Sequence, residues 1–475
     1  MTTGKKVLVW CAAAVSALVI ASGAIVLYLC WDEPPPDDSD LQVPLLEIPD
    51  EENGLTYFTE AARQAWEPRD GYSEVCAKTG EPQTQQEWYE AMLYGDSGWD
   101  DKVADGVLAR NAGIFELVEK GLACSQCRFR PWASEGNLWE TYLGGERLLG
   151  ILSVARIYSL RTRYLAKGGQ AEQAMAETKA LVEFGCRIQN AHGSLVHVLV
   201  GTMAKEMGLE QLRKCIPRAT LAPEQMRALA EELARYHVDG EAFADSLRLD
   251  YQITAKMLEE ANRSGLRVHR TGWGSPVHDP PAALYLKVNE TKRMYADIIR
   301  VQIENLDKPF AHRKPTVLPE DPGKRGTFWM YATPNSLGKA FLSNTDTAAA
   351  IENVCKDRAD VSATRLLLAL RAFATAEERL PEGLDELVPD FLDAVPPDPF
   401  DGKPMRYNPE KKVIYTVGED LTDSGGTTEA EWLDEMRLEC EAKGGEWTAE
   451  DERIAKESGE MNRWKFPDPS WAIEF

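Results

Sequence analysis

Residues 163–185 read RYLAKGGQAEQAMAETKALVEFG, and the fold turns on this stretch. One run of helix-forming residues stops at Gly168-Gly169 and a second starts at Ala171. Two glycines in a row give the backbone the freedom that closes a helix. Towards the N-terminus, Leu138, Tyr142, Leu149, Leu152, Ala155, Ile157, Leu160 and Tyr164 recur mostly at spacings of three and four. That spacing predicts one helix over 137–167 with a single buried stripe. Towards the C-terminus the same reading places helices over 171–189, 195–214, 223–236, 241–262 and 283–304, with Gly, Pro or Asp-Gly between several of them. Short turns between long amphipathic helices favour antiparallel neighbours, so the expected fold is mainly α, built of stacked helical hairpins. Residues 263–282 and 307–336 are rich in Gly, Pro and basic side chains and read as long loops.

The chain has 475 residues, with 53 Lys and Arg against 77 Asp and Glu, a formal net charge of −24. A nonspecific nucleic-acid binder neutralises phosphates with a basic face, so no nucleic-acid partner is expected. A hydrophobic content of 44% suffices for real cores. Nine cysteines are too sparse for a disulfide-framework protein, and no two Cys/His doublets offer four zinc ligands.

Val7 to Trp31 contains no charged residue. At about 1.5 Å per residue this run spans a hydrocarbon core of about 30 Å, and it exceeds the apolar region of a cleaved signal peptide. Lys5 and Lys6 precede it, while Asp32, Glu33, Asp37, Asp38 and Asp40 follow. The lysines favour a cytoplasmic N-terminus and an extracytoplasmic bulk, so a single-pass signal anchor in the inner membrane of a bacterial cell is expected. Pro34, Pro35 and Pro36 with the acids behind them read as a stiff, solvated spacer that holds the folded part away from the headgroups.

The C-terminal third changes character. A helix over 345–378 carries LLLALRAFA, and Pro381, Pro389, Pro396, Pro397 and Pro399 forbid its continuation. Phe400-Asp401-Gly402 reads as a tight turn into a strand over 405–407, and Val413 to Val417 as the returning strand.

The same residues carry a resemblance. A long helix, Leu-Pro and Leu-Val-Pro, Asp-Pro-Phe-Asp-Gly, a short hairpin and GEDLTDSGG at 418–426 together resemble the head of the major pseudopilin of type II secretion systems. The match covers roughly residues 350 to 426. It implies an α+β pseudopilin-like module and a calcium loop whose matching positions are Asp420 and Asp423, with Gly425 and Gly426 allowing the backbone to curl around a hard cation. The apolar N-terminal segment lacks the glutamate a pseudopilin carries there. The whole chain, with ENGLTYFTEA at 52–61 and GLACSQCRFRP at 121–131, also resembles a family of bacterial membrane-anchored helical envelope proteins whose function is unassigned. The 163–185 stretch has the rhythm of a tetratricopeptide helix pair, although no 34-residue period repeats.

Chemistry-bearing motifs are scarce. Cys124 and Cys127 form a CxxC after a helix rather than a strand, which fits a local disulfide or two packed thiols better than a redox centre. No HExxH, GxSxG, P-loop or GxGxxG occurs, and His278-Asp279 lacks further ligands. The acidic pairs Asp100-Asp101 and Glu377-Glu378 read as solvated surface.

The chain thus divides into a cytoplasmic tail (1–6), the anchor (7–31), a Pro-rich acidic linker (32–50), a helical-hairpin domain (51–344), the pseudopilin-like module (345–430) and a charged helical insertion with a tail (431–475). The expectation is a non-enzymatic envelope protein that presents a helical binding or scaffolding surface to a protein or peptide, with a calcium-stabilised C-terminal module. The alternatives are an extracytoplasmic hydrolase using cleft carboxylates, with Trp273 and Trp329 stacking on substrate, or a component of a secretion apparatus.

Overall fold

A computed structural model describes residues 3–43, 48–66, 99–129, 147–218, 220–264, 282–345, 347–448, 451–452, 455 and 462–475. In chain order the helices are α1 (Thr3–Cys30), α2 (Gly54–Gln64), α3 (Asp101–Arg110), α4 (Ala112–Ala123), α5 (Arg147–Lys167), α6 (Ala171–Gln189), α7 (Leu195–Cys215) and α8 (Pro223–Leu233). They continue as α9 (Gly240–Ser264), α10 (Ala282–Tyr285), α11 (Val288–Asn305), α12 (Thr327–Ala332), α13 (Ser336–Leu342), α14 (Thr347–Glu377) and α15 (Glu429–Ala442). Three short strands, β1 (Arg406–Asn408), β2 (Val413–Tyr415) and β3 (Ser470–Ala472), complete the set. The protein is therefore mainly helical, with one small antiparallel sheet near the C-terminus and one apolar helix at the N-terminus.

Residues divide into two compact units: 1–44 with 247–305 and 314–349, and 45–246 with 306–313 and 350–475. In the first unit α1 is long and apolar enough, from Trp10 to Cys30, to cross a membrane. Its side chains from Trp10 to Tyr28 are exposed, and Leu29 is the buried exception.

The stretch after α1 differs from the expected solvated spacer. Asp32 accepts from the Asn289 and Glu290 amides at 2.8 and 3.0 Å, so its carboxylate sits on the free amides and positive dipole end of α11. Glu33 pairs with Arg293 at 2.6 Å and Asp40 with Arg300 at 2.7 Å. Tyr251 donates to Asp38 at 2.8 Å, and Leu41 is fully buried. The acids read as part of a stiff, solvated spacer find a basic face on α11, which the local sequence of 32–43 does not announce. The same capping explains why the expected 283–304 helix is two: Lys287 donates its amide to Asn335 Oδ1 at 2.9 Å, and α11 starts afresh. The expected 307–336 loop likewise contains a short helix, α12.

In the second unit, α6 and α7 form the closest pair. A Cβ on Gly185 would meet the Lys205 backbone nitrogen at 2.3 Å, and one on Gly201 the Gln189 nitrogen at 2.3 Å. Only glycine lets the two backbones approach so nearly. Phe58 of α2 meets Phe184 of α6 edge-on at 4.9 Å, and Phe115 of α4 meets Tyr158 of α5 at the same distance, which extends one apolar core across five helices. A second core gathers α14 around Leu366, Leu368 and Leu370 together with Leu212, Phe400, Ile414 and Trp471.

The hairpin pairs Tyr407 with Ile414, near its expected place. β3, which the reading of 431–475 as a helical insertion and tail leaves out, pairs Trp471 with Ile414 on the other edge of β2. Trp471 is nearly fully buried and donates Nε1–H to Asp360 of α14 at 2.8 Å.

Candidate functional site

The C-terminal module positions a dense set of carboxylates. Asp398, fully buried, accepts from the amides of Phe400 and Val417 at 2.9 and 3.1 Å and from the Thr416 hydroxyl at 2.5 Å. The Asp-Pro-Phe-Asp-Gly turn is thereby fastened to the end of β2. Arg406 on β1 reaches three acids at once: Asp398 at 2.8 Å, Asp401 at 2.6 Å and Asp423 at 2.9 Å. The guanidinium fork matches such multiple acceptance, and the Asp401 carboxyl, though partly desolvated, stays below its usual range through Arg406.

Asp420 and Asp423 stand in the loop after β2 but do not meet as a ready pair. Asp420 accepts from the Thr422 amide at 2.9 Å. Asp423 accepts from Arg406, from the Tyr415 hydroxyl at 3.1 Å and from the Gly425 amide at 3.2 Å. Gly425 and Gly426 adopt φ of 85° and 81°, as the loop requires, and a Cβ on Gly426 would press on Val413 and Tyr415 at 2.9 and 3.0 Å.

A third carboxylate, which the sequence reading missed, closes this loop. Asp468 is fully buried and accepts from the amides of Ser424 and Gly426 at 2.7 and 3.0 Å through Oδ2, while its Oδ1 makes no hydrogen bond. Burial pushes its carboxyl above the usual range against those two amides, and Asp423 and Asp420 push the same way. A buried carboxylate oxygen without a partner is the position at which a hard cation would compensate the lost hydration. Among the described residues no group of three or more His, Cys, Asp or Glu side chains stands assembled for a metal. Asp468 follows Pro467 and precedes Pro469, and nothing in that local pattern marks it as a loop partner 42 residues downstream of Gly426.

The second feature is a cavity of about 600 Å³ in the helical part of the same unit. Leu55, Tyr57, Leu117, Phe129, Ile151 and His197 are among its walls. Arg63 there is paired with Glu60, whereas Arg128 forms no ion pair among the described residues. Asn53 holds the segment after the CxxC in place: its side chain accepts the Arg128 amide and donates to the Arg128 carbonyl, both at 2.9 Å.

His197 is buried, lies 4.5 Å from the Phe129 ring, and accepts the Ser194 amide on Nδ1 at 3.2 Å. That bond assigns its proton to Nε2. Burial alone pushes its pKa down to about 4, so it is neutral at physiological pH. Ser194 Oγ lies 3.1 Å from the same Nδ1, yet Ser194 is the buried N-cap of α7, a capping arrangement and not an exposed nucleophile.

The remaining sequence candidates fall apart in space or take structural parts. Cys124 and Cys127 are free thiols. Burial pushes the Cys127 thiol up to about 12, the opposite of an activated thiolate. His192, held at φ 51°, pairs with Asp245 at 2.6 Å, away from His197 on the chain and in partners. Asp100 caps α3 through the amides of Lys102 and Val103. Trp329 lies exposed on α12, while Trp273, His278 and Asp279 lie outside the described residues. No protein-family model, curated protein or solved structure matches this chain.

Proposed function

We propose that the protein is a single-pass bacterial envelope protein, with the tail before α1 in the cytoplasm and the bulk of the chain outside, whose helical part binds or scaffolds a protein or peptide. The observation that carries the reading is α1 itself: its apolar side chains from Trp10 to Tyr28 lie exposed instead of packing into a core. In water such a surface is costly, whereas lipid removes the cost. Lys5 and Lys6 before the span, against Asp32 and Glu33 after it, set the direction.

The binding part of the reading rests on the 600 Å³ cavity, where an apolar wall of Leu55, Tyr57, Leu117, Phe129, Leu148 and Ile151 stands among polar and charged side chains. That composition suits the side chains of a bound segment, with the Arg128 cation as an orienting donor. The experiment is affinity capture from crosslinked membranes with α1 intact, comparing the wild type with Tyr57→Ala plus Phe129→Ala. A partner held by the cavity is lost in the variant; partners retained at equal level remove this reading.

For the C-terminal module we propose a pseudopilin-like build stabilised by calcium, with Asp420, Asp423 and Asp468 as the carboxylates that would hold the ion. The unpaired Asp468 Oδ1 supports it. The ion would supply charge compensation only; the tying of β1, β2 and the loop is the work of Arg406, Asp398 and the two glycines.

A further inference from the structure

In the unit of residues 1–44, 247–305 and 314–349, the last turn of α1 is packed against other elements. Leu29 is buried in one apolar cluster with Leu258, Tyr285, Leu286, Val288, Met330 and Leu337. Met330 comes from α12, whose sequence is TFWMYA, and it is the one buried residue of that helix. Its neighbours face outward: Phe328 is 73% exposed, Trp329 43% and Tyr331 39%. Phe328 and Trp329 meet edge-on at 5.6 Å, and Tyr331 meets Tyr285 of the cluster edge-on, also at 5.6 Å, so the three rings form one surface joined to the packing around Leu29.

The end of α1 has the same character. Tyr28 and Trp31 are exposed, and Lys287 Nζ lies 5.6 Å from the Tyr28 ring centre. Just before α12, Lys324 is exposed and makes no ion pair among the described residues. Tryptophan and tyrosine concentrate at the depth of lipid headgroups, where the ring meets acyl chain and the polar edge meets water. Where α1 spans, its last turn marks the edge of the hydrocarbon. An element that shares one apolar cluster with Leu29 then lies at that edge.

We propose that Phe328, Trp329 and Tyr331 dock into the bilayer interface on the side where α1 emerges, with the Lys324 ammonium among the lipid phosphates. The occupant of this surface is the membrane itself, and the protein holds the bilayer twice: by a spanning helix and by a short aromatic helix lying on the surface. The inference rests on the reading of α1 as a membrane span. It also replaces the picture of a spacer that keeps the fold off the headgroups, because the residues after α1 are strapped to α11 and leave no slack between the span and α12.

The test is photocrosslinking of the full chain in its native membrane, with p-benzoylphenylalanine placed in turn at Tyr28 and at Phe328, and lipid adducts read by mass spectrometry. Lipid adducts at both positions in similar yield are expected, and adding Trp329→Ser and Tyr331→Ser should lower the yield at 328 severalfold while that at 28 stays unchanged. Lipid adducts at 28 with none at 328, or a protein adduct at 328, overturn the docking surface and leave the span standing. No lipid adduct at either position removes the span and this inference with it.

Discussion

Lys205 Nζ lies 2.7 Å from Asp357 Oδ1, and both side chains are shut away from solvent. The ammonium has three donors and three acceptors: Asp357, Gln189 Oε1 at 2.6 Å and the Tyr236 carbonyl at 3.0 Å. A buried ion pair so fully satisfied gives α7 and α14 a fixed register, since any slip strands a charge in apolar surroundings. Removing one partner of such a pair costs about 3–5 kcal/mol, whereas replacing both by apolar groups is often neutral. Lys205→Met should therefore lose stability on that scale in urea unfolding, and Lys205→Met with Asp357→Leu should regain most of it. Equal losses in the single and double variants would show that the pair does not act as a unit.

Calcium binding is read by melting the full chain in detergent. With a dissociation constant near 10 μM, calcium at about 1 mM would add about 2.7 kcal/mol. The wild type should melt higher in calcium than in chelator, and Asp468→Asn should erase the difference as completely as Asp420→Ala with Asp423→Ala. Identical wild-type melting in calcium and chelator would dispose of the ion and leave the loop to Arg406 on Asp423, Lys411 on the Gly426 carbonyl and Lys356 on Glu419.

The buried His197 gives stability a pH dependence whose sign is fixed. Its pKa falls from 6.5 to about 4 on folding, so below pH 6.5 the unfolded chain takes up a proton that the folded one refuses. The contribution is fully present above pH 6.5 and is lost as pH falls towards 4, a change on the order of 3 kcal/mol. His237, lowered chiefly by burial, adds in the same direction. Burial also pushes the Glu206 carboxyl up to about 7, which works in the opposite sense over the same range, so the readout is a difference. The denaturant midpoint of the wild type relative to His197→Gln, which keeps an acceptor for the Ser194 amide, should fall between pH 7 and 4. An unchanged slope in the variant would assign the acid sensitivity elsewhere.

Gly185→Ala and Gly201→Ala each place a methyl against backbone at 2.3 Å, which a side-chain rotation cannot relieve. Overpacking of this kind costs about 1–3 kcal/mol or more. Gly106→Ala on α3, which meets nothing within 4 Å, should by contrast be neutral or slightly stabilising in the same thermal melt.

The helices α6, α7, α9 and α14 were legible within a few residues because each carries its own periodicity and its own stop signals, Gly168-Gly169 being the clearest. The hairpin of β1 and β2 was legible for the same reason: its turn and its β-branched residues are adjacent in sequence. What escaped depends on partners far along the chain. Asp32 is an ordinary acid until α11, 256 residues later, offers its amides. β3 is three residues directly after Pro469 and becomes a strand only because β2 has a free edge. Asp468 reads as part of a proline-rich tail and becomes part of a loop only through the same pairing. Asp420 and Asp423, the loop positions proposed for calcium, were singled out by resemblance, but the cation that occupies Asp423, Arg406, belongs to a strand whose neighbours give no hint of it.

The two ends of the 428–469 excursion are stitched together at its base, where Ser470 Oγ donates to the Thr427 carbonyl at 2.6 Å. Past that stitch α15 buries none of its residues, and Gly444 stands in open space. Lengthening a loop already closed in this way costs little, about 0.6 kcal/mol for each doubling. The Gly444-Gly445 step is accordingly a docking port for protein engineering: a fluorescent or epitope domain inserted there should ride on the sheet without loosening it.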